Sequence, residues 1–311
     1  MNGEGLLILG PVLAAMITAA TPLLYAALGE LVVEKSGVLN LGVEGMMLAG
    51  AVIGFIVMVN TGSHTLGFAG AALAGAVMAA LFGVLTLLLL ANQVATGLAL
   101  TLFGVGLASL VGQGYVGRPI PDVPELRVPG LSDLPIVGPA LFGHDLPVYL
   151  ALALVPAVSW FLYRTRAGLV LRAVGENHSA AHALGYKVLG IRFLAVLFGG
   201  AMSGMGGAYL SLAYTPMWAE GMTAGRGWIA LALVVFATWK PERVLLGAWL
   251  FGGVTIMQLH AQGMGLAVSS QLLSMLPYLA TVVVLVAISR DVTRIRLNAP
   301  ACLGKVFHPE A

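Results

Sequence analysis

Apolar runs close to the length of a bilayer crossing alternate with short polar breaks along most of this chain. Spanning ~30 Å of hydrocarbon takes about 20 helical residues. The runs at 5–28, 43–59, 66–90, 94–113, 147–163, 193–215, 244–262 and 268–289 predict membrane-crossing helices, and 227–239 is a shorter candidate. Helices are expected because in lipid they satisfy every backbone polar group internally. The stretch 29–42, GELVVEKSGVLNLG, is neither clearly a span nor clearly a soluble loop. A half-helix or a re-entrant segment suits it, as it suits 227–239. The first run follows no basic leader and is long for a signal peptide, so it reads as a retained anchor.

The polar breaks set the sidedness. Residues 164–192 carry Arg164, Arg166, Arg172, Lys187 and Arg192 against the single acid Glu176. Basic loops stay in the cytoplasm. Placing this one there brings twelve of the fifteen Lys and Arg to that side, among them Lys35, Lys240, Arg243, Arg290, Arg294, Arg296 and Lys305. Arg118, Arg127 and Arg226 fall outside. The loop 114–146, with Asp122, Glu125, Asp133, Asp145 and six prolines, including Pro135, reads as ordered but irregular and external. Nine spans put the N-terminus outside, and a tenth near 29–42 would move it inside. The tail 290–311 is cytoplasmic under either count. Both halves share a rough plan of apolar hairpin, interrupted polar–glycine stretch and further helices, a duplication common among transporters.

Composition agrees. The chain is 59% hydrophobic and 9% charged, where soluble domains average about a quarter charged. The fold class is an all-α polytopic membrane protein, a single domain over 1–311, with the bilayer as its surroundings. A net charge of +2 argues against nucleic-acid binding. Cys302 is the only cysteine, so no intramolecular disulfide can form.

Polar side chains inside apolar runs are expensive and so mark candidates for a solute path. Glu44 would face a cavity or partner, or else be a helix-start carboxylate stabilised by the helix dipole. Glu30 and Glu34 read as solvated loop charges paired with Lys35. Asn40, Asn92 and Gln93 stand at helix starts, where an amide caps backbone NH groups or lines a path for a ligand rich in hydroxyls and ring nitrogens. Gln258 and His260, with Gln113, Trp228 and Gln262, would line a site for an uncharged polar solute or make interhelical hydrogen bonds. Gly199, Gly200, Ser203, Gly204, Gly206 and Gly207 form a small-residue surface for tight helix packing. No group of residues has metal-ligand spacing, and no catalytic constellation or nucleotide-hydrolysis motif occurs. Any ATP site would lie on another polypeptide.

Several strings carry a resemblance. ATPLLYAALGELVVEKSGVLNLGVEGMMLAGA (20–51), NQVATGLALTLFGVGL (92–107), GLVLRAVGENHSAAHALGYKVLGIRFLAVLFGGAMSGMGGAYLSL (168–212) and the region 214–260 resemble permeases of bacterial nucleoside and simple-sugar ABC importers, in the same order. This group is related to ribose-type and branched-chain amino-acid permeases, and the nucleoside branch is the nearer likeness. The resemblance implies about ten helices with cytoplasmic termini, favouring a tenth segment near 29–42. It also implies a coupling region at 168–192, where Arg172, Ala173, Val174, Gly175, Glu176 and Asn177 would dock into an ATPase subunit. His178 stands where relatives often have proline, which should loosen the start of the following short helix.

The expected protein is thus a multi-pass permease subunit of the bacterial cytoplasmic (inner) membrane. It would import nucleosides with a second permease, an external binding lipoprotein and ABC ATPase subunits that hold ATP-Mg, while itself binding no cofactor or metal. A simple-sugar importer is the nearest alternative. An ion-coupled secondary transporter would have to rely on Glu44, and a structural or channel-like protein would need no large basic loop.

Overall fold

The computed structural model describes residues 3–127, 129–132, 134, 137–263, 272, 275, 276, 279, 280, 282, 283, 286 and 298–308. Most of the candidate span 268–289 lies outside the described residues, as do Arg290, Arg294, Arg296, Asp133 and Pro135.

The first helix, α1, runs unbroken from Gly3 to Lys35 through Pro11 and Pro22. At 1.5 Å per residue it is about 50 Å long. Residues 29–35 therefore continue α1, and 36–42 form a turn and loop without a helix of their own, so no tenth helix stands there. The described start of the chain lies at the end of α1 opposite Lys35, not beside the basic residues. Glu30 and Glu34, expected in solvent, are 0% and 1% exposed. Helix continuation explains the difference: it carries both acids, four residues apart, into the protein interior.

Among the described residues, six more helices are long and apolar enough to cross a membrane. They are α2 (Val43–Thr61), α3 (His64–Gly83, continued by a π turn to Leu88), α4 (Gln93–Gly112), α6 (Leu146–Arg164), α9 (Val188–Tyr209, continued by a π turn to Tyr214) and α11 (Pro241–Gly263). Between α4 and α6 lie a two-stranded antiparallel ribbon, β1 (Glu125–Arg127) with β2 (Gly143–Asp145), and the short α5 (Val137–Leu141). Between α6 and α9 stand α7 (Arg166–Glu176) and α8 (His178–Ala183). The eleven-residue α10 (Arg226–Phe236) is about 16 Å long, half a crossing. The short run 227–239 is thus a half-helix.

Backbones meet at the centre through glycine. A Cβ on Gly75 would lie 2.0 Å from the Gly200 carbonyl, one on Gly207 1.8 Å from the Met47 carbonyl, and one on Gly50 2.3 Å from the Gly204 carbonyl. Lipid offers no hydrophobic drive between helices, so close van der Waals packing of this kind holds α2, α3 and α9 together. The outer faces of α3 and α4 expose Leu73, Val77, Leu98, Leu102 and Leu110, an apolar surface suited to hydrocarbon.

The two ends differ in character. At one end the loops after α4 and α9 bond to each other, Gly117 N to Trp218 O at 2.9 Å and Ile120 N to Pro216 O at 3.1 Å. At the other end the Lys35 turn, the α7–α8 hairpin and the segment around Lys305 are bonded together. That grouping is the one the charge pattern predicts for a cytoplasmic face.

Candidate functional site

The loop 36–42 folds back along α1. Asn40 N donates to Glu30 Oε1 at 3.1 Å, and Asn40 Oδ1 accepts from Gly42 N at 2.9 Å. Gln93 Oε1, at the start of α4, accepts from Leu39 N at 2.8 Å, while its buried Nε2 has no partner among the described residues. Asn40 and Gln93 are therefore brought together, each fixing one residue of the same turn.

In the first turn of α2, Glu44 is 6% exposed. Its Oε1 accepts from Thr223 Oγ1 at 2.6 Å and Gly225 N at 2.9 Å, and its Oε2 from Gly227 N at 2.6 Å. These donors form the start of α10. The first NH groups of a helix have no intrahelical acceptor, and a carboxylate there also meets the positive end of the dipole. Glu44 is thus an anchor for a half-helix supplied by a different helix, not for its own. At its far end α10 is held as well, where Trp239 Nε1 donates to Glu34 Oε2 at 2.5 Å.

Alternation along 223–227 gives this short segment two faces. Thr223, Gly225 and Gly227 bind Glu44, whereas Ala224 and Arg226 line a cleft of about 470 Å³ with Leu23, Tyr214, Thr255 and Gln258. The Arg226 guanidinium lies over the Tyr214 ring at 5.8 Å and donates from Nη1 to Met222 O at 3.1 Å. An aromatic face, a cation, a hydroxyl and an amide can hold a small polar solute, and the volume falls in the range of small-molecule sites. A larger void of about 560 Å³ between α6, α7 and α9 is lined by apolar side chains such as Phe161, Val170 and Phe198. It offers a polar solute no hydrogen bond.

The other sequence candidates lie apart. Asn92 is exposed and caps α4, accepting from Ala95 N at 3.0 Å. His260 is exposed, with Nδ1 3.1 Å from Ile256 O of its own helix. Two residues along a helix turn about 200°, so His260 faces away from the cleft that Gln258 lines. Sequence reading missed Tyr214 and Thr255 and used Arg226 only for sidedness. The signal for Arg226 was its position next to the short run.

In the basic α7–α8 hairpin, Thr165 Oγ1 caps α7 by accepting from Gly168 N, and Asn177 Oδ1 caps α8 by accepting from Ala180 N, both at 3.0 Å. Ala173, Glu176 and Asn177 are exposed, while Val174 and Gly175 are buried against the body. Half-buried Arg172 donates from Nε to Leu162 O at 2.9 Å and lies over the Tyr163 ring. His178 still begins α8, because the Asn177 side chain supplies the cap that proline would only have pre-shaped.

A family profile described as the permease component of branched-chain amino acid transport systems matches residues 12–287. A Haloferax volcanii protein provisionally named a glucose ABC transporter permease is 43% identical, with 96% of this chain and 97% of that protein covered. A nucleoside ABC transporter permease of Lactococcus lactis is 34% identical over 88% of this chain and 90% of its own length. A guanosine ABC transporter permease of Bacillus subtilis is 30% identical, with 79% and 81% covered. No solved structure matches. With nearly all of its length matched, seven apolar spans among the described residues and a basic hairpin on one face, the chain belongs to the branched-chain amino acid transport system permease family as a multi-pass ABC transporter permease of the inner membrane.

Proposed function

We propose that this permease forms the path of an importer for nucleosides, paired with a second, different permease and moved by ATPase subunits acting on α7–α8. ATPase and binding-protein partners follow from the family; the pairing and the solute are the further step. The observation that carries the solute class is the cleft of Tyr214, Arg226, Thr255 and Gln258. A flat base stacks on an aromatic or guanidinium plane, and ribose hydroxyls bond to a hydroxyl and an amide. Glu44, Asn40 and Gln93 hold the walls of this path. The hairpin presents Ala173, Glu176 and Asn177 to the ATPase, and Arg172, Val174 and Gly175 seat it on the body. ATP-Mg stays on the partner. A hexose is the second reading, favoured by the 43% identical relative named for glucose.

Competition for uptake tests the choice. Cells carrying the whole transporter should accumulate labelled guanosine or uridine, lose this on deletion of the permease, and resist a large excess of glucose. Uptake of labelled glucose that nucleosides do not inhibit would transfer the assignment to sugars. Co-purification of one permease species alone would remove the heterodimer.

A further inference from the structure

We propose that the segment 300–308 is a clasp holding the α7–α8 hairpin onto the cytoplasmic end of α1, with the buried Arg192 joining its parts and His178 the residue through which acid releases it. Its role in coupling rests on the transport reading above, but its existence does not.

Arg192 on α9 is 0% exposed. A buried guanidinium is costly unless acceptors converge on it. Here three do, each from a different segment. Nε donates to Ser36 O after α1, Nη1 to Lys305 O in the C-terminal segment, and Nη2 to His178 Nδ1 at the start of α8, all at 3.1 Å. The segment adds its own bonds to both neighbours. Cys302 N donates to Gly175 O at 2.9 Å, Cys302 Sγ to Glu176 O at 3.3 Å, and Gly304 N to Gly37 O at 3.1 Å. Phe307 packs with Val174, Ala181 and Val188, its ring edge-on to His178 and His182 at 5.2 and 5.3 Å. Beneath the clasp the hairpin touches α1 directly, since a Cβ on Gly175 would lie 2.2 Å from Lys35 O. A push on the hairpin therefore reaches α1 without a slack loop between them.

His178 can accept from Arg192 only through a neutral Nδ1. The charged and titratable groups around the clasp are Arg192 from α9, Cys302, Lys305 and His308 from the C-terminal segment, Arg172, Glu176 and His182 from the hairpin, and Lys35 at the end of α1. Burial first, then Arg192 and Lys305, hold His178 below its ordinary value of 6.5. A released His178 takes its proton near that ordinary value, a clasped one only at lower pH. The clasp thus has full stability above about pH 6.5 and loses it as pH falls below that value toward the depressed one.

Cys302, the only cysteine, reports the state of the clasp directly. Maleimide labelling of the full chain in nanodiscs is compared with that of the unfolded chain at the same pH. We expect protection of Cys302 at about pH 7.5 to drop about tenfold by about pH 5.5, the ratio supported by one hydrogen bond to a charged group. His178→Gln, which keeps a neutral acceptor, should hold its protection at both pH values, and Arg192→Gln should lose it at both. Protection that ignores pH in the unaltered protein, or survives Arg192→Gln intact, overturns the clasp. With the ATPase and binding protein added, solute imported per ATP should fall with pH in parallel, and stay level in His178→Gln. Changing protection with constant yield per ATP would overturn the coupling role. Absence of ATP-driven uptake at every pH would instead contradict the transport reading, leaving the labelling to judge the clasp.

Discussion

Glu44 and Arg192 are buried charges of opposite sign at two junctions of the molecule, and neither relies mainly on a counter-charge. Glu44 is met by two backbone NH groups and a threonine hydroxyl at the start of one half-helix. Arg192 is met by two backbone carbonyls and a histidine gathered from three segments. Every donor to Glu44 keeps its proton across physiological pH, so that junction is permanent. One acceptor of Arg192 titrates, so that junction can open. The end that carries the α7–α8 hairpin is releasable where the wall of the cleft is fixed.

The strongest way to break the contrast is Glu44→Ala. It strands three donors at the head of α10, and a buried unsatisfied donor costs about 1–3 kcal/mol. The purified protein should lose at least about 3 kcal/mol of stability, visible as a large fall in Tm, and solute uptake should vanish. Glu44→Gln keeps one carbonyl acceptor and should lose about half as much. A Tm for Glu44→Ala equal to that of the unaltered protein would mean that α10 needs no anchor.

Glycine at each junction sharpens the comparison further. A Cβ on Gly227 would lie 2.5 Å from Glu44 Cα, and one on Gly175 2.2 Å from Lys35 O. Overpacking of this kind costs about 1–3 kcal/mol, so Gly227→Ala and Gly175→Ala should lower Tm by similar amounts. Only Gly175→Ala should also speed labelling of Cys302, because only it pushes the hairpin off α1. Equal labelling in both variants would make the two junctions one cooperative unit.

What the sequence disclosed follows from length and period. The spans were legible because hydrocarbon thickness fixes run length, and α10 stood out as too short. The glycines of FGGAMSGMGGAYL announced close packing because small residues at helical spacing have little other use in a span. Glu30 and Glu34 were misjudged because polar neighbours at 35–42 made 29–42 look like one loop; nothing local says that the helix ends only at Lys35. Arg192 was legible as one of a group of basic residues but not as a buried one, since two of its three acceptors lie 156 and 113 residues away. Asn40 and Gln93 stood out as amides at helix starts, yet their meeting at the turn of Leu39 and Asn40 depends on how α4 packs beside α2. Tyr214 gave no signal of its own because it ends a π turn inside an ordinary apolar run.

The mildest change sharpens the account of Glu44 most. Thr223→Val keeps the shape of the side chain and removes one hydroxyl from the carboxylate, leaving Gly225 N and Gly227 N in place. One hydrogen bond to a charged acceptor is worth about 1.5 kcal/mol, so Tm should fall modestly while uptake persists. Combined with Glu44→Gln, the loss should be smaller than the sum of the two single losses, since both act on the same bond. Strict additivity would show that the hydroxyl stabilises the start of α10 on its own account, and that Glu44 is held by backbone donors alone.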